Sequence, residues 1–354
     1  MRRYLLFVNQ PYSYSILRPL QEEIRKRGDD AAWFVAGCSA APLLPDEHRL
    51  TTVKGVMEYD ACATFAPGDW VPYFFPGIKV EVFHGLARNK RGHSSESDHY
   101  RIRGFFDLYC THASKDTKKF GELAQQYKYF SVAKTGWPKL DPLFDNRHTG
   151  ERLRNEGERP VVFFASTFSR SVTAAPQLLS TIANLSQNDR WQFIVTLHPK
   201  MDPAITDQYR ALAGPNLRFV ESHEDLLPIL PEADVMLCDT SSIMFEFMFL
   251  DRPVVTLNTK MPGPYLIDVN SPDRVEQALE TALGRPPELM SAARALCDEL
   301  HGFRDGKSSA RVIDAVDEFL TGEKGELRGK PLNILRKIKV RRRLKRELRK
   351  SAEY

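Results

Sequence analysis

The chain alternates short apolar runs with amphipathic segments, in the order typical of parallel α/β sheets. In its first part, predicted strands lie at residues 4–8, 31–36, 78–83, 105–111 and 129–134, with weaker candidates at 50–54 and 71–75. In its second part, predicted strands lie at residues 160–165, 192–197, 217–220, 235–238 and 254–257. Predicted helices occupy residues 15–27, 115–127, 174–185, 271–283, 287–300 and 308–320. This alternation predicts parallel sheets covered by helices on both faces.

A polar, charged segment at residues 146–159 separates the two series and predicts a linker. The expected fold class is therefore α/β, with two Rossmann-like, doubly wound domains and a cleft between them. The first domain is expected at residues 1–145, the second at residues 160–322, and a tail at residues 323–354. At 354 residues the chain is long enough for two full hydrophobic cores.

The net charge of +4 conceals an asymmetry along the chain. Residues 324–354 carry thirteen Lys and Arg against three Glu, a local charge of +10, which leaves −6 for the remainder. Apolar residues at 334, 338, 340, 344 and 348 recur among these basic residues at nearly helical spacing, which predicts a basic amphipathic helix.

Such a helix suits an anionic membrane surface, and a solvated basic helix or a nucleic-acid- or protein-binding arm is the alternative. The rest of the chain is acidic and has no aromatic–basic patch, and both features argue against nucleic acid, so we expect no nucleic-acid partner.

The five cysteines are scattered without a close pair, which favours reduced cytosolic thiols over disulfides or zinc. No apolar run reaches the roughly 18 residues of a membrane span. These patterns predict a cytoplasmic protein held peripherally at the inner face of the cell membrane.

Polar side chains follow several predicted strands, at the edge where doubly wound sheets bind ligands. His84 and His198 each follow a strand, one in each predicted domain, and Thr167 follows another. The DTSS segment at residues 239–242 lies between a strand and a helix that carries Glu246. Free backbone N–H groups at such a helix start indicate an anion site, with a simple helix cap as the alternative. We interpret the histidines and hydroxyl clusters as a base and a phosphate clamp; structural histidines are the alternative.

Five segments resemble, in order, the motifs of the CDP-glycerol glycerophosphotransferase family, which builds teichoic acids and related polymers. They are FHG at residues 83–85 with the basic stretch that follows, GWPKLD at 136–141, ASTF at 165–168, LHP at 197–199, and DTSSIMFEF at 239–247 followed by Arg252-Pro253. DGKSS at residues 305–309 is similar to the family's closing motif. The sequence departs from the family at Leu86-Ala87, Ser166 and Ser169, which leaves the acceptor open.

The resemblance implies a GT-B-like enzyme that moves a polyol phosphate, most simply glycerol phosphate, from a CDP-linked donor to a hydroxyl of a cell-envelope glycan or lipid-linked acceptor, releasing CMP. It implies His84 as the general base and His198 as a contact of the donor phosphates. The remaining roles are phosphate binding by Ser241, Ser242, Thr167 and Lys307, ribose binding by Glu246, and acceptor binding by Gly85, Lys90 and Arg91. CDP-glycerol or a related CDP-polyol is then a co-substrate, and no cofactor is obligatory.

The sequence contains no Asp pair placed as in metal-dependent transferases, so we expect no obligatory metal. For Lys90 and Arg91 a solvated loop is the alternative, and for Glu246 a solvent-facing helix position. Two other classes compete with the transferase: a GT-B glycosyltransferase or epimerase acting on a nucleotide sugar, and a non-catalytic membrane-surface paralogue that binds a nucleotide. The serine-containing run together with both histidines favours phosphopolyol transfer.

Overall fold

The computed structural model describes residues 1–86, 99–144, 157–222, 224–322 and 327–351. These residues form two compact units, each built around its own sheet. The first unit takes the described residues within 1–85, 96–142 and 301–354, and the second takes those within 86–95 and 143–300.

The first unit is organised around a parallel sheet. Its strands are β1 (Arg3–Val8), β2 (Asp30–Val35), β3 (Arg49–Leu50), β4 (Ala63–Ala66), β5 (Ile78–Glu81), β6 (Leu108–Thr111) and β7 (Ser131–Lys134). Among the described residues these seven strands run in the order β3-β2-β1-β4-β5-β6-β7, and every pair is parallel. From β1 the chain adds strands on one side of the sheet as far as β3, and from β4 onward it adds them on the other side. The place between β1 and β4 is the switch point of the sheet, where such sheets open a ligand crevice.

The second unit repeats this arrangement with its own strands. They are β8 (Val161–Ser166), β9 (Gln192–Leu197), β10 (Leu217–Val220), β11 (Val235–Cys238), β12 (Val254–Leu257) and β13 (Ile267–Val269). Within the described part of the chain their order is β10-β9-β8-β11-β12-β13, again all parallel, so the switch point lies between β8 and β11.

The helices pack on both sheets. They are α1 (Ser13–Lys26), α2 (Val53–Tyr59), α3 (Ser114–Tyr127), α4 (Ala175–Gln187), α5 (Pro203–Ala211), α6 (Ile243–Met248), α7 (Val275–Leu283), α8 (Pro287–Leu300), α9 (Ser308–Leu320) and α10 (Ile334–Ser351). The predicted fold class of two Rossmann-like α/β units is confirmed, because each sheet is parallel and its strands alternate with helices.

The weakest predicted strands are where the structure differs from the sequence analysis. Residues 71–75 form no strand; Val71 and Phe75 instead fill the first core from a loop. Of the candidate at residues 50–54 only Leu50 is in a strand, because the Thr52 hydroxyl accepts the Gly55 N–H and starts α2. β4 was not predicted, since it holds one large apolar residue and is defined by its pairing with β1 and β5.

Helix α9 belongs to the first unit, whereas the predicted boundary assigned residues up to 322 to the second. It packs against α1, and Arg27 of α1 reaches Asp314 of α9 at 2.8 Å. Arg2 also pairs with Asp317. The order of elements along the sequence could not predict that the chain returns to the first unit, because the contacts join residues nearly 300 positions apart.

Helix α10 packs on the first unit, whereas the sequence analysis treated residues 323–354 as a tail apart from both domains. Val340 and Leu344 are buried in that unit's core, and the Arg343 guanidinium lies 4.4 Å from the centre of the Trp70 ring. Four apolar side chains near its start stay exposed: Leu332, Ile334, Leu335 and Ile338. No helix within the described ranges is both long and apolar enough to cross a bilayer.

Replacing Leu344 by alanine should lower the free energy of unfolding of the first unit by roughly 2–5 kcal/mol, since a buried leucine is lost and a cavity remains. Leu335→Ala is the matched control on the same helix, because Leu335 is 76% exposed. Urea unfolding followed by circular dichroism measures both. Equal midpoints for the two variants would show that α10 is not part of this core.

Candidate active site

Two predicted site residues, Thr167 and His198, come together with Asp239 at one edge of the second sheet. Thr167, His198 and Asp239 directly follow β8, β9 and β11, which are neighbours in the sheet. The register pairs the last residue of β8 with the last residue of β9, so these strands end at the same level. The His198 N–H also donates to the carbonyl of Ser166 at 3.2 Å. The parallel pairing of β9, β8 and β11 therefore brings these residues together at one edge of the sheet.

The buried carboxylate of Asp239 connects this edge. Its Oδ2 accepts the Ser166 hydroxyl at 2.5 Å, the Thr167 N–H at 3.0 Å and the Ala174 N–H at 3.1 Å. Burial raises the pKa of Asp239, and these hydrogen bonds act in the opposite direction by favouring its ionised form. Asp239 therefore ties the end of β8 to the residue before α4, and through them it positions Thr167.

The segment between β11 and α6 presents hydroxyl groups. Ser241 and Ser242 are half-buried, and neither side chain makes a hydrogen bond within the described ranges. Thr240 instead accepts the Lys260 N–H at 2.9 Å, and Ser242 does not cap α6 with its side chain, so the simple-cap interpretation does not hold. Because α6 has only six residues, its dipole contributes less than the sequence analysis expected, and the hydroxyl groups matter more.

Glu246 is 8% exposed on α6, so it is not the solvent-facing residue considered as its alternative. Its neighbours Met244, Phe245 and Phe247 are buried and pack the helix against the unit. A carboxylate held beside the serine segment in this way has a restricted set of positions. That restriction suits recognition of a hydroxyl-bearing ligand group.

His198 stands exposed at the end of β9 with its ring 4.4 Å from the Phe168 ring, centre to centre. Its Nδ1 accepts the backbone N–H of Lys200 at 3.1 Å. A nitrogen that accepts a hydrogen bond carries no proton, so the neutral ring carries its proton on Nε2. His198 is therefore arranged as a hydrogen-bond donor through Nε2.

His84 has the opposite arrangement, in the first unit. Its Nδ1 lies 3.2 Å from the carbonyl oxygen of Pro67, which can only accept, so Nδ1 donates and Nε2 keeps the lone pair. The ring stacks on Tyr12 at 5.2 Å and 21°. The surrounding protein lowers the pKa of His84 by desolvation, even though part of the side chain is exposed. The imidazole is therefore neutral at neutral pH, with an acceptor on Nε2.

The backbone before His84 is held in an uncommon conformation. Phe83 has φ of +57°, in the left-handed region that non-glycine residues rarely adopt. Its buried ring packs on Tyr109 and Phe120, and this packing maintains the conformation. Pro67 follows β4 and Tyr12 lies shortly after β1, so His84 belongs to the switch point of the first sheet. Strained backbone of this kind concentrates at functional sites.

Four predicted site residues remain: Lys307, Gly85, Lys90 and Arg91. Lys307 is exposed in the first unit, whereas Thr167, Ser241 and Ser242 belong to the second. The neighbouring Asp141 accepts the Ser308 and Ser309 N–H groups at 2.8 and 2.7 Å, so it caps α9. Gly85 follows His84 and is half-buried. Lys90 and Arg91 lie outside the described residues.

Sequence reasoning missed two residues of these sites. The sequence analysis does not single out Tyr12, and it includes Asp239 only as part of a motif. The rule that pointed to His84, namely a polar side chain after a strand, applies to both. Across the ranges that the structure describes, no group of three or more His, Cys, Asp or Glu side chains is arranged to hold a metal ion.

Two Rossmann-like units with polar groups at their switch points define a GT-B-like α/β protein. Residues 77–318 match the family described as CDP-glycerol:poly(glycerophosphate) glycerophosphotransferase, and the chain belongs to that family. The predicted family is thereby confirmed. The teichoic acid glycerol-phosphate primase of Bacillus subtilis (strain 168) is 22% identical over 240 residues, which are 58% of this chain and 61% of that protein. The chain therefore spans less than two thirds of this relative.

Solved structures show the same fold at low identity. The wall teichoic acid polymerase TagF matches with a TM-score of 0.64 and 13% identity, over 92% of this chain and 90% of that one. A UDP-N-acetylglucosamine 2-epimerase matches with a TM-score of 0.60 and 12% identity, over 94% and 99%. At these identities the likeness establishes the fold alone, and the reaction has to be inferred from the residues of the sites.

Replacing Asp239 by asparagine should loosen the edge of the second sheet, because an amide NH₂ would face donors that now share one carboxylate. We expect the free energy of unfolding to fall by roughly 1–3 kcal/mol. The Thr167 and Ala174 amides should exchange faster with deuterium. Asp189→Asn is the control, since that side chain is 97% exposed. Unchanged exchange at both amides would contradict the positioning role of Asp239.

Proposed function

We propose that the protein transfers a polyol phosphate, most simply glycerol phosphate, from a CDP-linked donor to a hydroxyl of a cell-envelope glycan or lipid-linked acceptor, and releases CMP. The observation that carries this proposal is the opposite arrangement of two histidines. His84 offers an acceptor nitrogen and His198 a donor nitrogen, each set by a backbone partner. Family membership supplies the reaction class.

His84 acts as the general base in this proposal. Its Nε2 takes the proton of the acceptor hydroxyl while the oxygen attacks the donor phosphorus distal to the cytidine. The bond between that phosphorus and the bridging oxygen breaks, and CMP leaves with the electron pair. The lowered pKa of His84 keeps the imidazole neutral and ready to accept a proton at neutral pH.

The second unit binds the donor in this proposal. The Nε2–H of His198 donates to a phosphate oxygen and stabilises the charge that develops on the departing CMP. The hydroxyls of Ser241, Ser242 and Thr167 bind the pyrophosphate, and Glu246 accepts from the ribose hydroxyls. One of the matched TagF structures was soaked with CDPG, which supports a donor of this kind. Lys307 is assigned to phosphate by the resemblance alone.

His84→Asn should reduce kcat for CMP release by about 100-fold or more, because general-base catalysis contributes roughly 10²–10⁴-fold and the amide cannot take the proton. His48→Asn is the control, since His48 is an exposed histidine of the same unit. CMP release from CDP-glycerol is measured by chromatography over a range of pH. The wild-type acid limb of kcat/KM should lie below about pH 6.5, the ordinary histidine value. A His84→Asn variant with wild-type turnover removes His84 from the mechanism.

A panel of donors separates the transferase from its alternatives. CDP-glycerol, CDP-ribitol and UDP-N-acetylglucosamine are each incubated with the protein and envelope glycan fractions, and nucleotide release is followed. CMP release from a CDP-polyol supports the proposal. Release or epimerisation of only the UDP-sugar favours the nucleotide-sugar class, and nucleotide binding without turnover favours a non-catalytic paralogue.

We also propose that the protein works at the cytoplasmic face of the membrane and binds its anionic surface peripherally through the start of α10. The exposed apolar side chains there are Leu332, Ile334, Leu335 and Ile338. Arg336, Lys337 and Lys339 lie between and beside them. Apolar side chains flanked by cations suit insertion at the interface of an anionic bilayer.

Replacing Leu335 by glutamate should weaken binding to phosphatidylglycerol vesicles at least tenfold, since it places a charge where an apolar side chain would insert. Leu320→Glu is the control, because Leu320 is an exposed leucine outside this helix. Vesicle co-sedimentation at low and high salt measures both variants. Binding by Leu335→Glu that equals the wild type would contradict this surface assignment.

A further inference from the structure

The carbonyl oxygen that sets the proton position on His84 belongs to a short segment at residues 67–70, directly after β4. A Cβ atom on Gly68 would lie 3.0 Å from Asn9 Nδ2, so the segment passes close against the residue that follows β1. The last residue of the segment, Trp70, is 4% exposed and packs in the core of the first unit. The 67–70 segment is therefore held from the inside of the unit by packing.

An ion pair holds the outer side of the same segment. Asp69 is the one residue of the 67–70 segment that is not buried, and its Oδ2 lies 2.8 Å from Nη2 of Arg103. The two side chains are 46% and 26% exposed. Ion pairs at such exposure contribute little to folding stability. The pair is therefore expected to matter for the position of the segment rather than for the folding of the unit.

The backbone of Arg103 is anchored by the start of α10. Asn333 Nδ2 and Arg336 Nη1 donate to the carbonyl oxygen of Arg103 at 3.4 and 3.0 Å. Gly104 has φ of +77°, and a Cβ atom there would lie 2.5 Å from Asn333 Nδ2, so only glycine fits against this side chain. Because the backbone has its own partners, a change of the Arg103 side chain alone can test the ion pair.

Asp69 also acts on the protonation of His84. Desolvation lowers the pKa of His84, the Pro67 carbonyl and the Asp69 carboxylate raise it, and His99 lowers it further. The ring of His84 also stacks on Tyr12. Besides Arg103, the groups that interact electrostatically with Asp69 are Tyr12, Glu81 and Arg343. Asp69 therefore has two effects on the imidazole, one through the 67–70 segment and one through its charge.

We propose that Arg103 is a positioning residue for His84. Its ion pair with Asp69 keeps the Pro67 carbonyl oxygen beside His84 Nδ1, which leaves the lone pair on Nε2. A general base works only from a well-defined position, and a displacement of about 1 Å can lower the rate about 100-fold. This role rests on the proposed transfer reaction. It adds a residue that lies outside every segment that resembles the family's motifs.

Nitrogen-15 NMR of the full-length protein reports the His84 tautomer without any turnover, with His84→Asn to assign its signals. The wild-type ring should be almost wholly in the Nδ1–H form. Arg103→Gln should give a mixture of both tautomers, because the 67–70 segment loses its outer attachment. Arg101→Gln is the control, since Arg101 is an exposed arginine two positions away. An Arg103→Gln protein whose His84 keeps the wild-type tautomer overturns the proposal.

A second variant breaks the same ion pair from the other side and covers the case in which Arg103→Gln does not fold. Asp69→Asn should give the same mixture of tautomers. It should also lower the pKa of His84, because it removes a negative charge that favours the imidazolium. Thermal unfolding identifies which variants are folded. A folded Asp69→Asn protein with either the wild-type tautomer or the wild-type His84 pKa contradicts the proposal.

Arg103→Lys separates the ion pair from other effects of the arginine side chain. One guanidinium nitrogen makes the contact, so an ammonium group can replace it. Arg103→Lys should keep the wild-type tautomer and a kcat within about threefold of the wild type, whereas Arg103→Gln should lower kcat about 10- to 100-fold. KM for CDP-glycerol should stay unchanged in both, because the proposed donor residues His198, Ser241 and Ser242 belong to the second unit. A lysine variant as impaired as the glutamine variant overturns the proposal.

The tautomer and the turnover distinguish this positioning role from the proposed function. If the wild-type protein releases no CMP and Arg103→Gln still changes the His84 tautomer, the positioning role stands and the transferase is rejected. If His84→Asn abolishes CMP release while Arg103→Gln keeps both the tautomer and kcat of the wild type, the transferase stands and the positioning role is rejected.

Discussion

The buried carboxylate of Asp239 is the interaction on which the second unit's site depends. It receives the hydroxyl of Ser166 at the end of β8 and the backbone N–H groups of Thr167 and Ala174 after that strand. A carboxylate in an apolar interior is costly unless it is fully hydrogen-bonded, and here the donors come from the part of the chain that must be positioned. The free-energy cost of burying this charge is therefore offset only while the residues at the sheet edge keep their positions. Thr167 is held by its own N–H bond to Asp239, and His198 is held by its N–H bond to the carbonyl oxygen of Ser166.

The two histidines differ through their backbone partners rather than through their sequence context. Both follow apolar strands and precede a small or rigid residue, so a sequence comparison treats them alike. The carbonyl of Pro67 leaves the lone pair of the neutral His84 ring on Nε2, and the N–H of Lys200 leaves the proton of the neutral His198 ring on Nε2. The backbone group beside Nδ1 therefore sets whether Nε2 of each neutral ring accepts or donates a hydrogen bond.

Local pattern was sufficient for most of the fold and for part of the sites. The strands at residues 192–197, 217–220 and 235–238 and the helices at 287–300 and 308–320 have the predicted bounds, because each is long or strongly apolar. The presence of polar residues directly after strands pointed to His84, His198 and Thr167, because the carboxyl ends of parallel strands lie along the same edge of a sheet. The position of α9 and the docking of Val340 and Leu344 depend on contacts between distant residues. The spacing of apolar residues along the sequence does not indicate these contacts.

Helix α10 shows how one amphipathic pattern can serve two surfaces. Its buried residues Val340 and Leu344 attach it to the first unit, while its exposed apolar residues lie toward its start. The packing that holds the middle of α10 on the first unit therefore also fixes the position of its exposed apolar end.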